Sequence, residues 1–183
     1  MPLPIPFLIP LFCHSILPRP LVSTTFLSLP TSFTSLISTP QWGLYYGVCA
    51  IMLPCGLKVA YGFTKIPPFQ LAYNNINPRK SFETLKATDA FYNRLCSAEA
   101  HSFENAPFYI AGVLSAISMK VEPKLITEYC GFWIALRLLH TATYLGAWGN
   151  SGVAVAGVRT VSYVMAASAS ASLLLHAAQA STA

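Results

Sequence analysis

Four long apolar stretches separated by polar links dominate the chain from about residue 41 onwards. They cover about residues 41–64, 82–119, 125–148 and 158–178, and the second begins in a polar region. The apolar part of each stretch is close to the roughly 20 residues with which a helix crosses a bilayer. The pattern therefore predicts an all-α integral membrane protein, multi-pass, with four transmembrane helices packed as a bundle.

Prolines and small residues within these stretches favour a packed bundle. Pro54 lies in the first stretch and Pro107 in the second. A bend at either residue is tolerated where neighbouring helices satisfy the freed backbone carbonyls. The fourth stretch contains SYVMAASASAS, a row of small side chains that lets helices approach closely in lipid.

Residues 1–40 differ in composition from the rest of the chain. They hold eight prolines, many Ser and Thr, one arginine (Arg19) and no acidic residue. Such frequent prolines are unfavourable for a spanning helix. An acid-free, Ser/Thr-rich start is typical of an organellar transit peptide, and a disordered leader or a misjudged start codon fits equally well. We interpret residues 41–183 as the membrane domain.

Composition excludes several other classes of protein. The chain is 54% hydrophobic and only 9% charged, whereas soluble domains carry about 25% charged residues. Its net charge of +5 comes from too few and too scattered residues for a nucleic-acid-binding patch. The five cysteines form no CxxC pair, so neither a disulfide framework nor a zinc site is predicted, and buried structural thiols are expected.

The charges of the links predict how the helices are oriented. The link between the first two stretches carries Glu83 and Asp89 against five basic residues: Lys65, Arg79, Lys80, Lys86 and Arg94. The second link carries only Lys120 and Lys124, against Glu122. By the positive-inside rule the first link faces the cytosol, or the stroma or matrix of an organelle. The third link then lies on the same side, and both termini lie on the other.

This orientation brings polar side chains of three predicted helices to one depth in the membrane. In the first two groups given next the spacings are three, four or seven residues, so each group shares a helix face, and the third group opens the fourth stretch. They are Arg94, His101 and Glu104; Arg137, His140 and Tyr144; and Arg159, Thr160 and Tyr163. Ionisable residues within spans are costly and mark functional sites.

Two structural explanations compete with a binding site. Arg137 and Glu104 could form a buried ion pair, and His140 could hydrogen-bond a carbonyl of a neighbouring helix. However, three arginines beside one glutamate leave positive charge uncompensated at low dielectric. A ligand with two carboxylates would complete the set, because guanidinium groups bind carboxylates in bidentate fashion.

Metal and triad chemistry are not predicted. Metal sites in helical bundles use Glu-x-x-His pairs from two helices. Here His101 and Glu104 come in the reverse order, without a second acidic residue at that depth. No aspartate accompanies His140, so a Ser-His-Asp arrangement is also absent.

Four sequence blocks resemble one family of membrane proteins. The blocks NNINPR (74–79), AEAHSFENAPFYIAGVL (98–114), RLLHTATYLG (137–146) and VRTVSY (158–163) are similar to those of the MAPEG family, in the same order. The family comprises membrane-associated proteins in eicosanoid and glutathione metabolism, including microsomal glutathione transferases. The resemblance covers about residues 41–178. It implies a four-helix transmembrane bundle that forms a homotrimer, with glutathione sites between subunits that face the cytosol.

The resemblance also implies roles for residues that match the family's motifs. It implies catalysis by Arg159, Thr160 and Tyr163, and glutathione binding by Glu104, Arg137, His140 and Tyr144. Arg94 and His101 are added to the glutathione-binding set because they lie on the same predicted helix face as Glu104. In this interpretation the arginines hold the two carboxylates of glutathione and Glu104 accepts its ammonium. Arg159, together with Thr160, would lower the thiol pKa. Tyr163 would hydrogen-bond the sulfur or shape the acceptor pocket.

Three functional hypotheses follow. The first is a glutathione transferase or peroxidase in the endoplasmic reticulum or an organellar membrane, acting on hydrophobic electrophiles or lipid hydroperoxides, with glutathione as co-substrate and no metal. The second is a non-catalytic protein that binds and presents a lipid. It is favoured by His101, which stands where family members commonly have asparagine. Ala100, which stands where they often have arginine, favours it as well. The third is a structural protein whose buried charges only hold helices together.

Overall fold

The computed structural model describes residues 19–66, 78–146 and 152–182, and only the backbone of residues 78–81. Within these ranges the chain forms helices and no strand. The helices are α1 (Arg19–Leu27), α2 (Thr31–Leu36), α3 (Pro40–Lys65), α4 (Pro78–Thr88), α5 (Ala90–Ser118), α6 (Pro123–Leu145) and α7 (Val153–Ala180). Residues 1–18, 67–77, 147–151 and 183, which include parts of the first and third predicted links and most of the NNINPR block, lie outside the described part.

The ends of the long helices follow from local sequence signals. Thr39 precedes α3 and its side chain accepts a hydrogen bond from the backbone N–H of Trp42. Proline occupies the first position of both α3 and α6, where its missing N–H has no intrahelical partner to lose. Gly146 ends α6 in the left-handed conformation, with φ of 83°, which glycine adopts without strain.

One predicted boundary is wrong. The stretch 82–119 was expected to form a single helix, whereas the structure divides it into α4 and α5 at Asp89. Asp89 adopts an extended backbone conformation, and its carboxylate accepts hydrogen bonds from the N–H groups of Phe91 and Tyr92 at 2.8 and 2.9 Å. The N-terminal cap stabilises the start of α5 and so separates it from the polar helix before it.

The four long helices pack around a central pair. Helices α5 and α6 contact each other, and both contact α3 and α7. Between α5 and α7 the approach is close, because a Cβ placed on Gly112 would lie 2.9 Å from the carbonyl oxygen of Ser170. The row of small residues in α7 is buried, as predicted; its buried members are Ser162, Ala166, Ser168, Ala169, Ser170 and Ser172.

An aromatic pair occupies the middle of the core. Tyr109 of α5 and Trp133 of α6 are fully buried and stack with ring centroids 3.9 Å apart. The hydroxyl of Tyr109 donates to the carbonyl oxygen of Gly43 in α3 at 2.8 Å. A Cβ on Gly47 would lie 2.2 Å from the Tyr109 ring. The glycines of α3 therefore allow three helices to meet at one tyrosine.

Residues before the predicted membrane domain also belong to this packing. In α1, Val22 is fully buried and the ring of Phe26 lies over Gly131 of α6. The hydroxyl of Ser23 donates to the buried carboxylate of Glu128 at 2.6 Å. Part of the segment assigned to a leader thus covers α6 in the structure.

The cysteines differ from expectation in one respect. The described cysteines are free, and Cys130 is buried as expected, but Cys49 is exposed and Cys55 and Cys96 are only half-buried. Cys49 lies on the outer face of α3, where side chains point away from the other helices.

Of the described helices, α3 and α7 are long and apolar enough to cross a membrane.

Gly47→Ala tests the core around Tyr109. The added methyl group overlaps a ring that is stacked on Trp133 and hydrogen-bonded to Gly43, so we expect a loss of about 1–3 kcal/mol of stability, the usual cost of overpacking. Thermal unfolding in detergent measures it. Gly56→Ala is the matched control, since a Cβ there meets nothing within 4 Å; equal melting temperatures for the two variants would contradict the packing described here.

Asp89 makes stability depend on pH. Hydrogen bonds from the backbone N–H of Tyr92, and then from the Tyr61 hydroxyl, hold the pKa of its carboxyl below the ordinary value. Its stabilising contribution is complete above the unfolded-state pKa of about 4 and is lost as pH falls through the lower folded-state pKa.

We therefore expect Asp89→Asn to reduce the acid-induced drop in melting temperature, while it keeps much of the cap because asparagine is also a good capping residue. Melting temperatures measured between neutral and strongly acidic pH test this. An identical pH profile for the variant and the wild type would refute it.

Candidate functional site

The predicted polar residues of three helices do meet in one cluster. It lies where the first half of α5, the last half of α6 and the start of α7 come together. Around the ring of His101 lie the rings of His140, Tyr144 and Tyr163, with centroids 5.9, 6.0 and 5.5 Å away. The spacing on each helix therefore predicted most of the side chains that lie in this cluster.

Arg137 is the buried cation of this cluster. Its side chain is fully buried, and its Nη2 donates to the Ser102 hydroxyl of α5 at 2.8 Å. Its Nε and Nη1 are buried and have no hydrogen-bond partner among the described residues. Because a buried unpaired donor costs about 1–3 kcal/mol, two such donors on one guanidinium indicate that an acceptor is missing.

His140 connects α6 to α7. Its Nδ1 lies 3.1 Å from the carbonyl oxygen of Arg159 and 3.4 Å from the hydroxyl oxygen of Ser162. A carbonyl only accepts, so Nδ1 carries the proton of this bond. The other ring nitrogen, Nε2, is buried without a partner in the described chain. The structural explanation offered for His140, a hydrogen bond to a neighbouring helix, is therefore observed.

Glu104 lies at the open edge of the cluster. Its Oε2 is 3.0 Å from Nδ1 of His101 and accepts a hydrogen bond from the Tyr163 hydroxyl at 3.4 Å. More than half of its side chain is exposed, at 56%. The expected ion pair between Glu104 and Arg137 is not among the salt bridges of the described residues, so Arg137 lacks a carboxylate of its own.

Two further arginines approach Tyr144 from different helices. The guanidinium of Arg159 lies over its ring at 4.2 Å, which is a cation–π contact. Nε of Arg94 donates to its backbone carbonyl at 3.2 Å. Nε of Arg159 is buried with no partner in the described ranges. The cluster therefore holds three cations beside one exposed carboxylate.

One predicted site residue stands apart. Thr160 is exposed, and its hydroxyl donates to the carbonyl oxygen of Ala156 in the preceding turn. Two residues that were not predicted do belong to the cluster: Ser102, which pairs with Arg137, and Ser162, which contacts His140. Helical spacing could have identified Ser102, because Ala98, Ser102, Asn105 and Tyr109 form the buried face of α5.

The described residues contain no group of three His, Cys, Asp or Glu side chains able to hold a metal ion. The chemistry of the cluster is instead that of an anion site: guanidinium donors in fixed positions, aromatic rings around them, and a carboxylate at the edge. Guanidinium groups match carboxylates in geometry and charge.

The comparisons with known proteins point to one family. The model of the MAPEG family matches residues 40–179, which include all the residues of the cluster. The searches of curated proteins and of solved structures found no match. The family described by resemblance in the sequence is therefore confirmed by an independent match over most of the chain.

Ser102→Ala tests whether Arg137 depends on its single partner. The change leaves a buried guanidinium with no hydrogen-bond partner in the described chain, so we expect a loss of about 1–3 kcal/mol in stability. Ser97→Ala is the matched control on the same helix, since its hydroxyl only donates to the carbonyl oxygen of Asn93. Thermal unfolding compares the two, and equal stability would show that Arg137 does not rely on Ser102.

Proposed function

This chain belongs to the MAPEG family, and we propose that it is a membrane-bound glutathione transferase with peroxidase activity. Membership indicates a membrane protein of glutathione or eicosanoid metabolism. The proposed reaction joins the glutathione thiol to a hydrophobic electrophile, or reduces a lipid hydroperoxide, in the endoplasmic reticulum or an organellar membrane.

The observation that carries the proposal is the buried guanidinium of Arg137 with its two unpartnered donors. Glutathione supplies two carboxylates and an ammonium in one molecule. A carboxylate oxygen bound to Nη1 of Arg137 would satisfy one of these donors with a charge-assisted hydrogen bond, and Nε, on the other side of the guanidinium, would take a second acceptor. The exposed carboxylate of Glu104 is then available to the ammonium.

Arg159 is the residue proposed to act on sulfur. Its guanidinium is held over Tyr144, and its Nε has no partner in the described part of the chain. A cation beside the thiol favours the thiolate, which is the nucleophile. In conjugation the thiolate forms a bond to the electrophilic carbon while the leaving group departs with its electron pair. The Tyr163 hydroxyl, which donates to Glu104 at 3.4 Å, would turn from that carboxylate to donate a hydrogen bond to the sulfur.

A peroxidase reaction would use the same groups. The thiolate attacks the terminal oxygen of the hydroperoxide, the O–O bond breaks, and the alkoxide takes up a proton and leaves as an alcohol. A second glutathione then reduces the resulting sulfenic acid, with formation of glutathione disulfide and water. The two glutathiones supply the two electrons of the reduction.

We further propose that all four long helices cross the membrane and that the chain assembles as a homotrimer. The large apolar side chains exposed on these helices support it, because they are suited to lipid or to a second subunit. Such side chains include Leu53 and Phe63 of α3, Phe108 and Leu114 of α5, and Val161 of α7. The cluster would face the cytosol, or the stroma or matrix of an organelle.

The proposed function is tested by measuring glutathione binding and turnover in two arginine variants and one lysine control. We expect Arg137→Met to abolish glutathione binding in calorimetry. Arg159→Met should keep binding but lower kcat/KM for a chloronitrobenzene substrate at least about 100-fold, the order of effect of removing one transition-state donor. Lys120→Met, which removes a charge beyond the far end of α5, is the control and should remain active. An active Arg159→Met enzyme would refute the assigned role.

A second candidate function rests on Glu104. Its Oε2 already contacts His101 and Tyr163, which competes with the ammonium of glutathione. Under this alternative the protein binds and presents a lipid without catalysis. It predicts that purified protein binds fatty acid but shows no glutathione-dependent turnover. If both arginine variants unfold with or without ligand, the purely structural hypothesis is favoured instead.

A further inference from the structure

Helix α1 follows α6 along one face. Three contacts join the two helices, in the same order along both. They are the ion pair of Arg19 with Glu122 at 2.8 Å, the hydrogen bond of Ser23 to Glu128 at 2.6 Å, and the ring of Phe26 over Gly131. At 1.5 Å per residue these contacts extend over about 10 Å of α1 and about 14 Å of α6. The two helices therefore run in the same direction, and α1 lies against the first part of α6.

The face of α6 that α1 covers is turned away from the core. Trp133 of α6 stacks on Tyr109 of α5 and so marks the inward side of the helix. Gly131 and Glu128 are two and five residues before Trp133, which places them about 200° and about 140° from it around the helix axis. Among the described helices, α1 is the element that covers this outward face.

Glu128 is the polar group that α1 protects. It is only 4% exposed, although it lies on the outward face, about 8 Å along the axis from Pro123. With α6 crossing the membrane as proposed above, this carboxylate would point into lipid without α1, and ionisable side chains within spans avoid lipid. Ser23 donates to it across 2.6 Å, a length typical of a hydroxyl bound to an ionised carboxylate. Helix α1 thus supplies both a cover and a hydrogen-bond donor.

Close packing beside Glu128 completes the cover. Val22 of α1 is fully buried and Phe26 is nearly so. A Cβ on Gly131 would lie 2.2 Å from the Phe26 ring, so the glycine leaves the space that this ring fills. The contact is therefore shaped for α1 and is more than a single hydrogen bond.

The outer surface of α1 is suited to lipid. Leu27 is 73% exposed and Leu21 is also exposed, and such apolar surface fits a hydrocarbon environment. The hydroxyls of Thr24 and Thr25 donate to the carbonyl oxygens of Pro20 and Leu21. Their hydrogen bonds are made within the helix, as the lack of water in a bilayer requires. One side of α1 can therefore lie on α6 while the other faces lipid.

We propose that α1 is a permanent part of the mature membrane domain, where it lies in the membrane against α6 and shields the Glu128 carboxylate from lipid. The proposal rests on the proposed crossing of the membrane by α6, and not on the glutathione reaction. It extends the domain beyond residues 40–179, the part that matches the family. A leader that is removed in the cell then ends before Arg19, although the composition typical of a transit peptide continues to residue 40.

Paired substitutions in the full-length protein test the shielding of Glu128. In lipid nanodiscs we expect Ser23→Ala to lower the melting temperature by about 3–10 °C, the order expected when a chain of this size loses a hydrogen bond to a buried charge. Thr24→Ala is the matched control, because its hydroxyl bonds only carbonyls of its own helix among the described residues, and should have little effect. In a Glu128→Leu background Ser23→Ala should also have little effect, since no carboxylate remains to be satisfied. Equal shifts from Ser23→Ala in both backgrounds would overturn the proposed shielding.

Hydrogen exchange gives a measurement on the unmodified protein. Amide exchange followed by mass spectrometry reports how firmly each segment is held. We expect the peptide that covers Arg19–Leu27 to exchange at least about 100-fold more slowly than an unstructured peptide of the same sequence. Exchange at the unstructured rate would show that α1 is not docked on α6. This measurement remains decisive even if the substituted proteins do not fold.

The mature N-terminus tests whether α1 is retained in the cell. The full-length chain, tagged at its C-terminus, is produced in eukaryotic cells and purified from their membranes, and its first residue is identified by mass spectrometry. We expect the first residue to be Arg19 or one before it. A mature chain that begins after Arg19 would overturn the proposal. None of these measurements depends on glutathione, so their failure and the failure of the proposed reaction are distinguishable.

Discussion

The burial of Arg137 is the constraint on which the site depends. A guanidinium can be removed from water in this way only if its donors find acceptors, and Ser102 of α5 satisfies one nitrogen. The remaining two nitrogens have no partner in the described chain. The same helix contributes His140, whose ring bonds the backbone of α7. Helix α6 thus holds its two neighbours in place and presents an unsatisfied cation between them.

The positions of the surrounding helices are set elsewhere, by close packing. Tyr109 is fixed by a stacked tryptophan and by a hydrogen bond to α3. Gly112 lets α7 approach α5 closely. These contacts involve no residue of the cluster. Because the core holds the backbones rigidly, the polar side chains at the end of the bundle keep a fixed geometry, which is a requirement for binding a small anion.

Much of the architecture was predictable because apolar runs and helical spacing are local signals. The four long helices and the convergence of Arg94, His101, Arg137 and Tyr144 followed from them. The break at Asp89 was missed, since a polar helix and an apolar helix joined by one capping residue look like one stretch. Helical spacing places Ser102 on the buried face of α5, but its pairing with Arg137 is a contact between two helices that the spacing along one helix does not contain.

The sequence by itself determined the family, the helical class and the residues that share a face, because periodicity and motif order depend only on positions along the chain. Tertiary structure alone decided that Thr160 lies outside the cluster, that Glu104 pairs with His101 rather than Arg137, and that α1 covers Glu128. These are contacts between residues distant in sequence or choices between rotamers. Their energies depend on the distance and angle between specific atoms, which no pattern along a single helix contains.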